Sequence, residues 1–269
     1  MDRVEIDDAE LEYEVRGSGE PVLLIAPAAF SDGLARPLFG QPELAANYRL
    51  IHYRRRGYLG STRGQQPLTI ARHAADAAAL LRHVQVPRAH VVGHSFGGVI
   101  ALELARQVPD LVHSLALLEP ALRSGPAGKA HLEQTVGPAR EKYRAGDKRG
   151  FVLFFTERMF GPGWEPVVER AIPGAIEQAV ADADVFYEEQ PALVEWAFGP
   201  EQAATITQPV LSVLGARSAA IFHEGRTVLH GWFPQAEDFD VGTTHMLQIE
   251  DPAAIAHGLA EFFGRHPST

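Results

Sequence analysis

The stretch Gly93-His94-Ser95-Phe96-Gly97-Gly98 decides the fold class of this chain. It has the spacing G-x-S-x-G, with the apolar pair Val91-Val92 before it and the apolar run Val99-Ile100-Ala101-Leu102 after it. A buried strand, a sharp turn and a helix are predicted in that order. Small residues two places before and after the serine let the flanking chains pass, and the turn lifts the hydroxyl of Ser95 above the sheet, beside a helix N-terminus. Ser95 is the candidate nucleophile.

Around this turn, short apolar runs alternate with helical patterns. Strands are predicted at residues 4–6, 11–15, 21–25, 49–53, 89–92, 114–118, 209–214 and 237–241. Helices are predicted at residues 69–84, 96–107, 219–232 and 252–263. The first two strands alternate with period two and are typical of a hairpin at a sheet edge. The whole pattern predicts an α/β fold, in which helices cover both faces of a mostly parallel sheet.

Residues 121–205 interrupt this alternation, because they contain helical patterns and no clear strand. Helices are predicted at residues 128–144, 147–160, 166–181 and 184–196, with Pro173 and Pro191 breaking the last two. We expect a helical lid over the carboxyl ends of the strands, where open α/β sheets bind ligands. The domain prediction is a core of residues 1–120 and 206–269, with a lid of residues 121–205.

The composition excludes several classes of protein. The 269 residues include 46% hydrophobic and 22% charged residues, which is ordinary for a globular protein. The net charge of −10 argues against nucleic acid and anionic membranes as partners. The chain has no cysteine, which excludes thiolate metal sites and a cysteine nucleophile. The acidic N-terminus and the lack of a long apolar run lead us to expect a cytoplasmic protein, and the absence of metal or nucleotide motifs leads us to expect no cofactor and no metal.

A serine nucleophile needs a general base, and His245 is the best placed of the twelve histidines. It follows the last predicted strand and precedes the closing helix, so it is expected at the same sheet edge as Ser95. His94, inside the turn, is expected to point away from the chemistry.

The chain resembles the α/β-hydrolase superfamily over essentially its full length. The resemblance rests on residues 93–98, on Arg56-Gly57-Tyr58-Leu59-Gly60-Ser61 and on the segment from His245 to Pro252. It implies a catalytic triad of Ser95, His245 and an acid. In most of the superfamily that acid is an aspartate after the strand at residues 209–214, but this chain has Gly215-Ala216-Arg217-Ser218 there.

The third member of the triad is therefore predicted elsewhere, at Glu119. This glutamate directly follows an apolar strand, where a buried carboxylate needs a partner, and an imidazolium would serve. Asp238 and Asp240 are the alternatives, and an inactive hydrolase-like protein is a further one. A glutamate at this point is similar to that of the fungal zearalenone lactone hydrolases. That likeness also implies that Trp196 contacts the substrate, although a buried aromatic anchor is an equal interpretation.

The remaining site predictions concern the oxyanion hole and the pocket. The backbone N–H of Phe96 is one expected donor, and Ala28 or Ala29 the other, because Pro27 has no N–H. Ala29 matches the lactone hydrolases better. Phe30, Phe154 and Trp196 are candidate substrate contacts. The run of three arginines from Arg54 to Arg56 is interpreted as a loop tied by salt bridges and not as an anion site.

Together these features predict a serine hydrolase that cleaves a carboxylic ester or lactone through an acyl-enzyme. The expected partner is an uncharged, hydrophobic small-molecule substrate, and a homodimer is left open. Carbon–carbon bond hydrolysis and cofactor-free perhydrolysis are alternatives that use the same triad. A non-hydrolytic ligand-binding or biosynthetic protein with this fold is another.

Overall fold

A computed structural model describes residues 1–123 and 125–268 of the chain. Ser124, inside the predicted lid range, and Thr269, the last residue of the predicted core, lie outside the described residues. The strands are β1 (Asp2–Ile6), β2 (Ala9–Arg16), β3 (Glu20–Ile25), β4 (Tyr48–Tyr53), β5 (Ala89–His94), β6 (Val112–Leu118), β7 (Val210–Gly215) and β8 (Glu237–Val241). They form one sheet in the order β1-β2-β4-β3-β5-β6-β7-β8.

The sheet is antiparallel only at the edge that begins the chain. β1 and β2 form the predicted hairpin, and β2 also pairs antiparallel with β4. All strand pairs from β4 to β8 are parallel. The α/β-hydrolase architecture expected from the sequence is therefore confirmed.

The helices fall into three groups along the chain. Before β6 they are α1 (Ala35–Phe39), α2 (Pro42–Ala45), α3 (Ile70–His83) and α4 (Phe96–Gln107). Between β6 and β7 they are α5 (Gly125–His131), α6 (Gly137–Arg144), α7 (Lys148–Phe160), α8 (Glu165–Ala171), α9 (Ala175–Ala181), α10 (Ala183–Glu189), α11 (Ala192–Glu195) and α12 (Pro200–Ala203). After β7 they are α13 (Ala220–Trp232), α14 (Leu247–Glu250) and α15 (Pro252–Arg265).

Both faces of the central strands are buried, because each parallel crossover carries a helix back over the sheet. Successive residues alternate between the two faces. Leu23 and Val91 pack with α3 and α4, whereas their neighbours Leu24 and Val92 pack with α15 on the other side. This double burial explains why these strands are continuous apolar runs in the sequence.

The segment between β6 and β7 is helical throughout its regular elements. Its predicted first helix, residues 128–144, is instead α5, a π-helical turn (Leu132–Val136) and α6. The predicted breaks occur at Gly174, which has a φ of +82°, and at Pro191. Its apolar cluster includes Phe151 and Phe186, together with Ala29 and Met246 from the loops after β3 and β8. The segment therefore packs over the carboxyl ends of the strands.

Residues 1–123 and 125–268 contain no helix that combines the length and the apolar character needed to cross a membrane. They also contain no group of three His, Asp or Glu side chains arranged to hold a metal ion.

Candidate active site

Ser95 lies in the turn between β5 and α4, where its backbone has a φ of +53° and a ψ of −113°. Flanking glycines permit this turn: a Cβ on Gly93 would lie 2.4 Å from the carbonyl oxygen of Gly97, and one on Gly97 would lie 2.1 Å from that of Ile25. The Ser95 N–H donates to the Leu118 carbonyl (2.9 Å), and the Ser95 carbonyl accepts from the Ala121 N–H (3.0 Å). The turn is thus tied to the end of β6.

Glu119 directly follows β6 and is only 2% exposed. One carboxylate oxygen accepts from the Gly215 N–H at the end of β7 (2.7 Å), and the other accepts from Nδ1 of His245. Gly215 begins the stretch where the resemblance implies an aspartate. The neighbouring strand therefore offers a backbone amide to the glutamate in place of an acid of its own.

The two aspartates considered as alternatives lie elsewhere. Asp238 bonds to His230 (3.0 Å), and Asp240 pairs with Arg226. Both side chains are about half exposed or more on β8. Neither of them contacts His245, so the structure brings Glu119 to the histidine and leaves both aspartates outside.

His245 is buried, with its ring stacked on Phe222 at 3.8 Å between centroids. Because Glu119 accepts a hydrogen bond from Nδ1–H, Nε2 is left as the hydrogen-bond acceptor of the neutral ring. His94, which was expected to point away from the chemistry, packs against His245 and is absent from the lining of the cavity that Ser95 and His245 share. Its ring packs 4.7 Å from the His245 ring, and its Nε2 donates to the His245 carbonyl (3.1 Å). Gln248 in turn donates to Nδ1 of His94 (3.2 Å), so His94 supports the His245 loop.

Ser95 and His245 line the same cavity, whose empty space is about 600 Å³ including its solvent-filled mouth. Within the described residues no hydrogen bond joins the Ser95 hydroxyl to His245; such bonds commonly tighten only when substrate is bound. The apolar lining includes Phe30, Phe155, Met159, Leu193, Ile221 and Phe222.

The predicted oxyanion-hole residues Phe96, Ala28 and Ala29 all line this cavity. Ala29 has a φ of +64°, and its N–H points to the Tyr58 hydroxyl at 3.4 Å. In the part of the chain that the structure describes, the Ala28 N–H donates to no group. The geometry therefore favours Ala28 over Ala29 as the free donor, whereas the lactone-hydrolase likeness favoured Ala29.

A buried ion pair holds this loop in place. Arg55 donates to the carbonyls of Ala26 (2.7 Å) and Pro27 (3.0 Å), and its other Nη donates to both oxygens of Glu189 in α10 (3.1 Å each). Tyr58 also donates to Glu189 (2.5 Å). Arg54 and Arg56 pair with Asp32 and Asp76 in the same way, as the salt-bridge interpretation of the three arginines predicts.

Two of the three predicted substrate contacts lie outside the cavity, and only Phe30 lines it. Trp196 donates from Nε1 to Glu103 on α4 (3.1 Å) and stacks on Phe198, so it anchors its segment to α4. Phe154 lies beside the cationic groups of Lys142 and Arg158. Its neighbour Phe155 faces the cavity instead, because consecutive helical residues point about 100° apart.

Four polar residues of the cavity were not predicted: Arg123, His131, Thr156 and Gln190. Arg123 comes four residues after Glu119, where the chain leaves the sheet edge. That short separation in sequence is the one signal that could have placed Arg123 near the site. His131 ends α5 where the π-helical turn begins, and Gln190 lies between α10 and α11. Helical periodicity gives no indication that these positions face the site.

Comparison with protein families identifies the fold. The profile described as alpha/beta hydrolase fold matches residues 21–252, and the chain belongs to this family. A relative from Azorhizobium caulinodans, named "Putative carbamate hydrolase RutD", is 40% identical over 111 residues, which are 41% of each chain. The matched part is thus about two fifths of that relative's length.

Solved structures with the same fold cover nearly the whole chain. The enol-lactonase from Burkholderia xenovorans LB400 superposes with a TM-score of 0.83 and 20% identity, over 98% of this chain and 100% of that one. Naproxen esterase from Bacillus subtilis gives a TM-score of 0.77 and 19% identity, over 97% and 90% of the two chains. At these identities the likeness concerns the fold.

Proposed function

We propose that this protein is a serine hydrolase that cleaves a carboxylic ester or lactone by means of a Ser95–His245–Glu119 triad. One observation carries the proposal: the buried Glu119 carboxylate accepts a hydrogen bond from Nδ1–H of His245, and that histidine lines the same cavity as Ser95, whose backbone has a positive φ. A serine on such a turn, a histidine with a free Nε2 and an acid that fixes its tautomer are the parts that acyl transfer needs.

In this mechanism His245 Nε2 takes the Ser95 proton as the hydroxyl oxygen attacks the substrate carbonyl. The N–H groups of Phe96 and Ala28 hold the oxyanion, and the loss of one such donor typically costs about 3 kcal/mol of transition-state stabilisation. His245 then gives the proton to the leaving alcohol oxygen. Water, activated by the same histidine, hydrolyses the acyl-enzyme and releases the acid.

The helical segment of residues 121–205 serves as the lid in this proposal. It supplies Phe155, Met159 and Leu193 to the cavity, so it shields the acyl group from water. The family membership and the fold shared with an enol-lactonase and an esterase support ester or lactone cleavage.

Hydrolysis of p-nitrophenyl butyrate and of a panel of aliphatic lactones tests the proposal, together with the mass of the acyl-enzyme. We expect turnover by the wild-type protein and its loss in Ser95→Ala and His245→Ala, each by about 10³-fold or more. Ser218→Ala and His257→Ala are matched controls, because Ser218 is absent from the cavity lining and His257 is largely exposed. No turnover of any ester or lactone by folded wild-type protein, or equal turnover by Ser95→Ala, would refute the proposal.

A further inference from the structure

Arg123 stands out among the cavity side chains because the proposed reaction gives it no role. Of the polar groups that line the cavity, Ser95 and His245 belong to the triad, and the Thr156 hydroxyl bonds to the Val152 carbonyl of its own helix. Arg123, His131 and Gln190 remain.

The guanidinium of Arg123 has only a neutral partner. Its Nη2 donates to the Gln190 side-chain oxygen at 3.0 Å. Its Nη1 is buried and has no hydrogen-bond partner among residues 1–123 and 125–268. In the same residues no carboxylate lies within 4.0 Å of it, whereas Arg54, Arg55 and Arg56 each pair with one.

Arg123 is partly buried as a residue, and its Nη1 is shielded from solvent; a charged group without a counter-charge in such a position is costly, so its retention needs a reason. Burial lowers the pKa of Arg123 to about 10, and the side chain is still a cation at neutral pH. The neighbouring His131 cannot be a second cation there, because burial and then the charge of Arg123 lower its pKa to about 3. A single positive charge therefore remains at this part of an otherwise largely apolar wall.

Backbone contacts place Arg123 close to the reacting groups in the chain. The Ala121 N–H bonds to the Ser95 carbonyl, and the Glu119 carboxylate bonds to His245. Five residues thus carry the triad acid at one end and the unpaired cation at the other. Arg123 and Gln190 also border a second groove, whose other charged lining residues are Arg140 and Glu195.

We propose that Arg123 binds a carboxylate on the substrate, so that the substrate class is an ester or lactone that also carries a free acid group. A guanidinium with a free Nη1 and an oriented Nη2 matches the planar geometry of a carboxylate, and Gln190 holds it in place. This inference rests on the proposed function and replaces the uncharged substrate expected from the sequence.

Binding of uncleavable ketone analogues tests the inference apart from turnover. The probes are (ω−1)-oxo acids, which end in a methyl ketone (4-oxopentanoate to 7-oxooctanoate), and the matching neutral amides, measured by titration calorimetry on the wild-type protein. We expect at least one acid of the series to bind about tenfold or more tightly than its amide, as for a charge-assisted bidentate contact. Arg123→Met should remove that preference, and so should Arg123→Gln, which keeps a polar group.

Arg149→Met is the matched control, because Arg149 is an exposed arginine of α7 that pairs with Glu177 outside the cavity. It should retain the preference of the wild type. No acid preference at any chain length, or a preference that persists in both Arg123 variants, would overturn the inference. If p-nitrophenyl butyrate is hydrolysed but no acid is preferred over its amide, the proposed function stands and this inference fails. If acids bind through Arg123 but no ester or lactone is hydrolysed, the carboxylate site stands and the proposed function fails.

Discussion

Three residues of the candidate site have a positive backbone φ, which residues other than glycine rarely adopt. The φ angles are +64° at Ala29, +53° at Ser95 and +45° at Glu119. Each such residue costs about 1–3 kcal/mol and persists only where its surroundings hold it. Here, backbone hydrogen bonds hold Ser95 and Glu119 in place: the Ser95 N–H donates to the Leu118 carbonyl, and the Glu119 N–H donates to the Val213 carbonyl. The strain thus lies where the proposed chemistry needs fixed geometry.

Replacing Glu119 by glutamine tests the acid at this scale. The amide keeps an acceptor for the Gly215 N–H, but it no longer stabilises an imidazolium at His245. We expect kcat for p-nitrophenyl butyrate to fall by about 10²–10⁴-fold, with the fold retained by circular dichroism. Asp240→Asn, on the exposed side of β8, should leave kcat within about twofold. Unchanged kcat in Glu119→Gln would move the acid to another residue.

The residues of the proposed triad were predicted from the sequence, whereas Arg123 and the choice of Ala28 over Ala29 were not. The spacing of glycines around Ser95 has one steric explanation, and Glu119 after an apolar strand required a partner. The choice between Ala28 and Ala29 depends on which N–H the Tyr58 hydroxyl occupies, which is a long-range contact. Phe154 and Phe155 were confused because both are apolar and only the rotation of α7 separates them.

At the scale of elements, α10 and the loop after β3 are joined by one buried ion pair. Arg55 binds two carbonyls of that loop with one Nη and Glu189 of α10 with the other. The helical segment therefore supports the loop that carries the proposed oxyanion donor.

Glu189→Gln tests this connection, because it leaves the buried Arg55 without a counter-charge. We expect a loss of about 3–5 kcal/mol in the free energy of unfolding, measured by urea denaturation. We also expect a lower kcat, since Arg55, which donates to the carbonyls of Ala26 and Pro27, is itself no longer held by a carboxylate. The adjacent Glu188→Gln breaks an exposed pair with Arg63 and should cost less than about 1 kcal/mol. Equal stability of the two variants would contradict this role of Arg55.

The same interface contains a second contact, and we expect its effect on the free energy of unfolding to vary with pH. Asp182, which precedes α10, accepts from the Leu59 N–H (3.2 Å), and burial raises its pKa from 3.8 to about 6, with the nearby charges of Arg54 and Asp32 acting in opposite directions. A raised acid pKa means that stability is lost as the pH rises from 3.8 towards 6. Asp182→Asn removes this loss.

The melting temperature of Asp182→Asn relative to wild type should therefore increase between about pH 4 and pH 6 and then stay constant to pH 8. The control is Asp184→Asn, because Lys148 and Tyr143 lower the pKa of Asp184, so its variant should gain nothing over that range. A difference for Asp182→Asn that does not vary with pH would show that the carboxyl is not desolvated.

At the scale of the whole molecule, the alternation of strands and helices predicted the sheet and the helical segment. Parallel strands buried on both faces give long apolar runs, which are the clearest signal in the sequence. The short helices α1, α2, α12 and α14 were missed, because four or five residues carry too little periodicity. The way the helical segment packs on the rest of the molecule could not be predicted either, since it depends on long-range contacts such as that of Trp196 with Glu103 on α4.

The most direct test of Ser95 as an activated nucleophile is labelling with a fluorophosphonate, read as intact mass. We expect one rapid adduct on the wild-type protein, no adduct on Ser95→Ala, and labelling slowed by about 10²-fold or more on His245→Ala. Absence of an adduct on folded wild-type protein, or an adduct that persists in Ser95→Ala, would contradict this role of Ser95.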